Sequence, residues 1–305
     1  MWLYPVAFEL GREDFSPGDL APGLSARSLE RAGFTAIKRA SEGEELASLA
    51  ENCIREVPRL VLENVDCVIG VSSMIEDAPH WVHRFSSSFP GHEKRSLFGL
   101  VDACTGFVNA LTLADGLLSI RAAEIVLIGI GDKYSRFIAE GDGSGALFSD
   151  AFSVLLASPH QIEEIGDIGG YNAELVHAVV VNEANSDSAL GIKDGRFFMN
   201  GARVFQFGAR HIATAVQELA AFTGVQATEI DWYFHQGSRV IVEEAEKVLG
   251  VEQGSLFRAA HYGNTVGSSI PLQLFDKPPE GDFVGFVGFG MGLSLKASVY
   301  RMVAA

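Results

Sequence analysis

Apolar positions recur at three- and four-residue steps across residues 44–62, "EELASLAENCIREVPRLVL". Leu46, Leu49, Ala50, Cys53, Ile54 and Val57 fall on one face there. This spacing predicts an amphipathic helix that Pro58 ends or kinks. "NVDCVIGVSS" (64–73) then reads as a buried strand running into turn residues, and a long loop holds "PHWVHRFSSSFPGHE" (79–93). "SLFGLVDA" (96–103) is strand-like, "CTGFVNALTLADGLLSI" (104–120) has helical spacing, and "EIVLIGIGD" (124–132) is a further strand. Strands alternating with helices predict an α/β fold with crossover connections.

The same order returns later in the chain. "ARHIATAVQELAAFTG" (209–224) reads as a helix with Gly224 as its cap. "EIDWYFHQGS" (229–238) lines up with 64–73, each opening a strand on an apolar residue and an aspartate and closing it on small polar residues. "HYGNTVGSSIPLQLF" (261–275) takes the place that "VDACTGFVNALTLAD" holds earlier. The pattern predicts a duplicated α/β unit, divided into residues 1–158 and 159–305, that presents chemistry from equivalent places. No low-complexity linker separates the two parts, so they are expected to share one core.

Composition limits what this core can do. At 305 residues with 48% hydrophobic content, the chain can bury a large interior. Three cysteines without a CxxC pair fit a reducing cytoplasm better than a disulfide-stapled secreted fold. The opening "MWLYPVAFELGRED" lacks a basic, then long apolar, leader, and "IVLIGIG" (125–131) is too short to span a bilayer. A net charge of −16 repels nucleic-acid backbones. A cytoplasmic protein that binds neither nucleic acid nor membrane is therefore expected.

Three residues carry candidate chemistry. Cys104 opens a predicted helix, where free N–H groups and the helix dipole favour thiolate, the reactive form. Packing is the competing reading, because free cysteines are commonly buried, and it is the one adopted for Cys53 and Cys67. His235 leaves the end of a strand, where open α/β sheets place functional groups. Asn264 lies in a glycine- and serine-rich lead into a helix, where it could equally be a cap. Because all three occupy corresponding junctions of the repeat, they can form a thiol nucleophile faced by two hydrogen-bond donors.

With those residues in place, the segments "DACTGFVNALTLADGLL", "HQGSRVI", "YGNTVGSSIPLQL" and "GFGMGLSLKASVYRM" resemble the β-ketoacyl-acyl-carrier-protein synthase III group of the thiolase-like superfamily, in its order and spacing. Weaker likeness covers nearly the whole chain, including "NGARVFQFGARHIATAVQE" (200–218). The resemblance implies an α/β thiolase-like fold, with duplicated halves packed as five α-β-α-β-α layers. It implies that Cys104 becomes acylated from a thioester, and that His235 and Asn264 stabilise the enolate formed when a malonyl-type extender decarboxylates. Backbone N–H groups of Cys104 and Met291 would form the oxyanion hole. Acyl-carrier protein or acyl-coenzyme A would be the donor, no cofactor or metal would be needed, and a homodimer, or a heterodimer with a related subunit, is implied.

Several positions depart from that family. Its "HQAN" is "HQGS" here, with Gly237 and Ser238, and its triple glycine is interrupted by Met291. A coenzyme-binding tryptophan is replaced by Arg27, while Arg31 matches a neighbouring coenzyme-binding arginine. Asp142 stands near the place of a second such arginine, and bulky Phe152 where a small residue is usual, which makes Phe152, like Ser238, a candidate substrate- or carrier-binding residue. Losing an aromatic platform and gaining a negative charge both disfavour a nucleotide phosphate. Arg203, Arg210, Arg239 and Arg258 are the candidate docking residues for an acidic carrier. Together these features predict an enzyme of a specialised fatty-acid, polyketide or secondary-metabolite pathway.

Other features receive plainer readings. "GDGSG" (141–145) lacks the lysine of a P-loop and reads as a flexible turn. His80, His83 and His92 read as surface loop residues rather than a metal site, and Phe98 as core, with Phe85 and Phe89 left between core and an acyl tunnel. Two further functions compete with condensation. One is an acyltransferase or thioesterase that uses the same acyl-cysteine, which the altered "HQGS" loop favours. The other is a non-catalytic partner subunit, which has no physical need of Cys104, His235 and Asn264 together.

Overall fold

The structure, a computed structural model, describes residues 1–73, 81–184 and 189–304. The first repeat contributes strands β1 (Trp2–Leu10), β2 (Cys67–Val71), β3 (Ser96–Leu100), β4 (Val126–Asp132) and β5 (Ala151–Ser158). Helices α1 (Ala26–Ala32), α2 (Leu46–Arg55) and α3 (Gly106–Ser119) lie between them. The second contributes β6 (Tyr171–Asn182), α4 (Gly201–Thr223), β7 (Asp231–Phe234), α5 (Arg239–Leu249), α6 (Ser269–Asp276), β8 (Phe283–Gly290) and β9 (Ser294–Met302).

The strands run in the order β7-β8-β9-β6-β1-β5-β4-β2-β3. Each repeat pairs its first strand antiparallel to its last, the last antiparallel to the one before, and that one parallel to its second strand. β3 extends the first set by another parallel strand, and no described strand continues the second set beyond β7. The two sets meet through two residue pairs, Trp2 with Asn172 and Leu3 with Tyr171.

Five layers follow from where apolar faces go. α3 and α6 lie between the sheets, with Phe107, Leu111, Ile270 and Leu274 packed against Val71 and Ile130 on one side and Val284 and Phe286 on the other. Phe107 meets Phe286 edge-on, with ring centroids 5.3 Å apart. Truncating such a ring to alanine costs about 3–5 kcal/mol. α2 covers the outer face of the first sheet through Leu49, Ala50 and Cys53, and α4 and α5 cover the second through Phe207, Val216, Ile241 and Ala245. All seven residues of β4 are buried, which explains its unbroken apolar run: helices cover both faces.

The predicted elements appear with adjusted bounds. The helix expected over 44–62 is two, because Pro58 ends α2's segment and caps a second helix over Arg59–Asn64. α4 begins eight residues before the expected start, and Gly224 caps it with a left-handed backbone at φ 77°. Residues 141–145 are not a free turn, since Asp142 Oδ1 accepts the Ser144 N–H and Gly145 and Ala146 are buried. Phe85 and Phe89 resolve to core, packed with Trp81 under the first sheet, while Phe98 is partly buried against the central layer. His92 Nδ1 pairs with Ser86 Oγ at 3.1 Å, and His80 lies outside the described residues. No helix among the described residues is long and apolar enough to cross a membrane.

Candidate active site

Cys104 does not start its helix. It sits in a single 3-10 turn, Ala103–Thr105, and α3 begins at Gly106. Ala103 has φ 34°, a left-handed backbone that turns the chain sharply as it leaves β3. His235 follows the last residue of β7, and its N–H donates to the Val287 carbonyl at 2.8 Å. Asn264 is held beside the first repeat: its N–H donates to Leu147 O at 2.8 Å, and its carbonyl accepts Ser149 N–H at 2.9 Å. These three segments, distant in sequence, line one cavity of about 580 Å³.

Each side chain has a distinct electrostatic setting. Burial pushes the Cys104 thiol up to about 12; the buried Asp132 carboxylate adds to the shift and the Met291 N–H opposes it. Desolvation thus opposes the thiolate expected from a helix start. Burial drives His235 down to about 3, opposed by the Val266 backbone, so the imidazole is neutral at ordinary pH and can offer an N–H. Asn264 Oδ1 accepts the Val266 N–H at 2.9 Å, which leaves the side-chain amide NH2 as its remaining donor.

The arm carrying Met291 approaches the thiol closely. A Cβ at Gly290 would lie 3.0 Å from Cys104 Sγ, and one at Gly288 would lie 2.6 Å from the Cys104 carbonyl oxygen. Gly288 leaves no room for a side chain, and at Gly290, where φ is 153°, one would crowd the sulfur and strain the backbone. Met291 itself lines the cavity, and its N–H faces the sulfur.

Arg31 and Ser238 also line the cavity, Arg31 being exposed at the end of α1. A Cβ at Gly237 would make ordinary 3.5 Å contacts with the His235 ring, so glycine there is not a steric requirement. The other expected binding residues lie elsewhere. Phe152 does not border the acyl site: it is fully buried in β5, packing against Trp81 and Phe85 on the outer face of the sheet. Arg258 turns inward, its guanidinium 4.9 Å from the Tyr233 ring centroid, and is not a surface docking group. Arg203 pairs with Glu183 at 3.4 Å, and Arg239 lies over Phe257 and donates to the Gly33 carbonyl. Arg210 is exposed on α4.

Several site residues escaped the sequence reading. Tyr134, Phe148 and Phe197 form a wall of the cavity, with Phe148 stacked on Tyr134 at 4.9 Å and edge-on to Phe197 at 5.0 Å. Asp132 ends β4 fully buried, accepting from Ser73 N–H at 2.8 Å, Ser73 Oγ at 2.5 Å and Gly267 N–H at 3.3 Å; burial raises it to about 6 against those hydrogen bonds. Gln236 is also buried; its N–H donates to Ser269 Oγ at 2.7 Å and its Oε1 accepts Arg258 N–H at 2.8 Å, stapling the His235 loop to α6. An aspartate closing an apolar strand was the available signal for Asp132. The aromatic wall had none, because its rings come from three separate segments. Among the described residues, no group of three His, Cys, Asp or Glu side chains could hold a metal.

Known proteins resemble this chain in sequence and in fold. Residues 219–302 match the family described as the C-terminal part of 3-oxoacyl-[acyl-carrier-protein] synthase III. A β-ketoacyl-[acyl-carrier-protein] synthase III of Thermosynechococcus vestitus is 29% identical over 221 residues, covering 67% of each chain. Its counterpart from Bartonella henselae is 26% identical over 96% of each chain. The crystal structure of the synthase III from Thermus thermophilus superposes with a TM-score of 0.84 at 23% identity, covering 100% of this chain and 99% of that one. The architecture is that of the thiolase fold.

Proposed function

We propose that this chain, a synthase III-like protein with the thiolase fold, is an acyltransferase that condenses an acyl group held on Cys104 with a malonyl-type thioester. The observation that carries the reading is the convergence of Cys104, His235, Asn264 and the Met291 N–H on one cavity.

In the first step the Cys104 sulfur attacks the thioester carbonyl, the bond to the donor sulfur breaks, and the thiol proton leaves with the donor thiol. The oxyanion formed on the way is stabilised by the N–H groups of Cys104 and Met291. In the second step the malonyl-type thioester loses carbon dioxide, and the bonding pair becomes an enolate. The neutral His235 N–H and the Asn264 NH2 donate to its oxygen. The enolate carbon then attacks the acyl-cysteine carbonyl, forming a carbon–carbon bond; the carbon–sulfur bond breaks, Cys104 leaves as thiolate and takes a proton from solvent, and the β-ketoacyl thioester departs.

The chain's departures favour a specialised pathway and a carrier-protein donor. Arg27 is exposed and offers no aromatic platform, and Asp142 is occupied capping its own turn. Met291, Gly237 and Ser238 alter the cavity's lining next to the reacting groups. Of the candidate binding arginines, Arg203 pairs with Glu183 and Arg239 and Arg258 pack against rings, while Arg31 and Arg210 are exposed and free of such a role, which favours these two for meeting an acidic carrier. Charge reversal at these two should slow loading from acyl-carrier protein more than from a small thioester. A two-fold dimer is proposed through β3, whose outer edge has no strand partner among the described residues.

Intact-protein mass spectrometry tests the first step. Acyl-carrier proteins or acyl-coenzymes A should add one acyl mass to wild type, Cys53→Ala and Cys67→Ala, and none to Cys104→Ala. Transfer of the acyl group to an alcohol, amine or water, with no carbon dioxide released from malonyl-carrier protein, would replace condensation by simple acyl transfer.

A further inference from the structure

Lys296 Nζ lies 2.9 Å from Asp102 Oδ2, and the two side chains are only 18% and 23% exposed. Asp102 belongs to the elbow that presents the nucleophile. Its Oδ1 accepts the Thr105 hydroxyl at 2.9 Å, and its carbonyl accepts Thr105 N–H at 3.1 Å, closing the turn around Ala103 and Cys104. Lys296 belongs to the other repeat. It stands cross-strand from Gly288, and β8 ends two residues on at Gly290, directly before Met291. The ion pair thus ties the turn bearing the Cys104 N–H to the strand pair bearing the Met291 N–H, across 194 positions of sequence.

An oxyanion hole makes strict demands on such a join. Its donors must sit about 2.7–3.1 Å from the developing charge, and a displacement of about 1 Å can cost about a hundredfold in rate. Gly288 lets the two backbones touch, as there is no room for a Cβ against the Cys104 carbonyl, but contact limits approach without preventing separation. A part-buried, hydrogen-bonded ion pair adds little to net stability, yet its 2.9 Å contact favours one spacing of the two segments over others. The ammonium also offsets the Asp102 charge, which otherwise opposes negative charge at Cys104.

We propose that Lys296 and Asp102 are positioning residues that fix the spacing of the Cys104 and Met291 N–H donors. This rests on the acyl-cysteine reading above. The test compares two reactions of the same sulfur in the full-length protein. Acylation by an acyl N-acetylcysteamine thioester builds an oxyanion, whereas alkylation by iodoacetamide does not. With Asp102→Asn added so that no lone carboxylate is left beside Cys104, Lys296→Met should slow acylation about 10- to 100-fold while alkylation stays within about threefold, whereas Lys296→Arg with Asp102 kept should retain most of the acylation rate. If that double variant does not fold, as judged by circular dichroism, Lys296→Gln with Asp102→Asn serves the same comparison.

Acylation within threefold of wild type in the folded variant overturns the proposal, as does an equal fall in both reactions, which would mark a general disturbance of the elbow. Wild type that alkylates but never acylates would overturn the acyl-cysteine reading and this inference with it. Wild type that acylates alongside an unimpaired double variant would overturn the inference alone.

Discussion

Ala103 and Val266 hold left-handed backbones, at φ 34° and 51°, and each is the first residue of the 3-10 turn that leads into an inner helix. For residues with a Cβ this conformation costs about 1–2 kcal/mol, and for β-branched valine it is a marked outlier. In the first repeat the turn projects Cys104, while in the second the Val266 N–H pins Asn264 Oδ1. By this equivalence Cys104 corresponds to Gly267, and Asn264 lies three positions before it. The repeat is therefore used asymmetrically: one turn carries the nucleophile, and the other anchors a donor that precedes it.

Removing that donor should separate the two half-reactions. Asn264→Ala is expected to leave acylation of Cys104 largely intact and to slow carbon dioxide release from malonyl-carrier protein by about a hundred- to a thousandfold. Labelled malonyl donor and pre-acylated enzyme provide the measurement. An equal loss in both steps would contradict the assignment of Asn264 to the extender.

The charge of Asp132 opposes thiolate formation at Cys104. Asp132→Asn keeps the size and one acceptor oxygen while removing that charge, so the thiol should ionise at lower pH. Iodoacetamide labelling at pH 8 should then be faster than in wild type, and the midpoint of the labelling rate against pH should shift downward. An unchanged or raised midpoint would show that burial alone sets the thiol.

His235 is protonated only near pH 3 in the folded protein, against about 6.5 when unfolded. Between those values the unfolded chain binds the extra proton, so stability contributed by this group is fully present above about 6.5 and is lost as pH falls. Asp132 has the opposite sign: its folded value of about 6 exceeds the ordinary 3.8, so its contribution favours the folded state below 3.8 and is lost as pH rises through 6. Denaturant unfolding of wild type and His235→Gln at pH 7.5 and 4.5 isolates the histidine. The variant should lose less stability between the two pH values, and an identical loss would mean that the imidazole is not held neutral.

The ring wall should set acyl size. Phe197 packs against both Tyr134 and Phe148 on the lining of the cavity. Phe197→Ala should raise kcat/KM for longer acyl donors relative to short ones, measured across a thioester series. No change in the chain-length profile would place the acyl group in another part of the cavity.

Periodicity alone located α2, β4 and α4, because each buries one stripe or both faces against a neighbour and so leaves a pattern in the chain. The buried face of α2, from Leu46 to Ile54, is the face that the spacing predicted. The motifs around Cys104, His235 and Asn264 were legible for a related reason: a sharp turn at the end of a strand needs small residues near it, and those residues are local in sequence. What the tertiary structure decided is whatever depends on two distant segments meeting. At Cys104 desolvation and the Asp132 charge, both brought by distant segments, raise the thiol, and neither is visible in the local pattern that suggested a helix start. Phe152 and Arg258 point away from the cavity because strand register and inward packing, which similarity of motifs does not encode, set their directions. The aromatic wall and the Lys296–Asp102 pair exist only where the two repeats close on each other, and a linear pattern carries no record of which side chains meet across that closure.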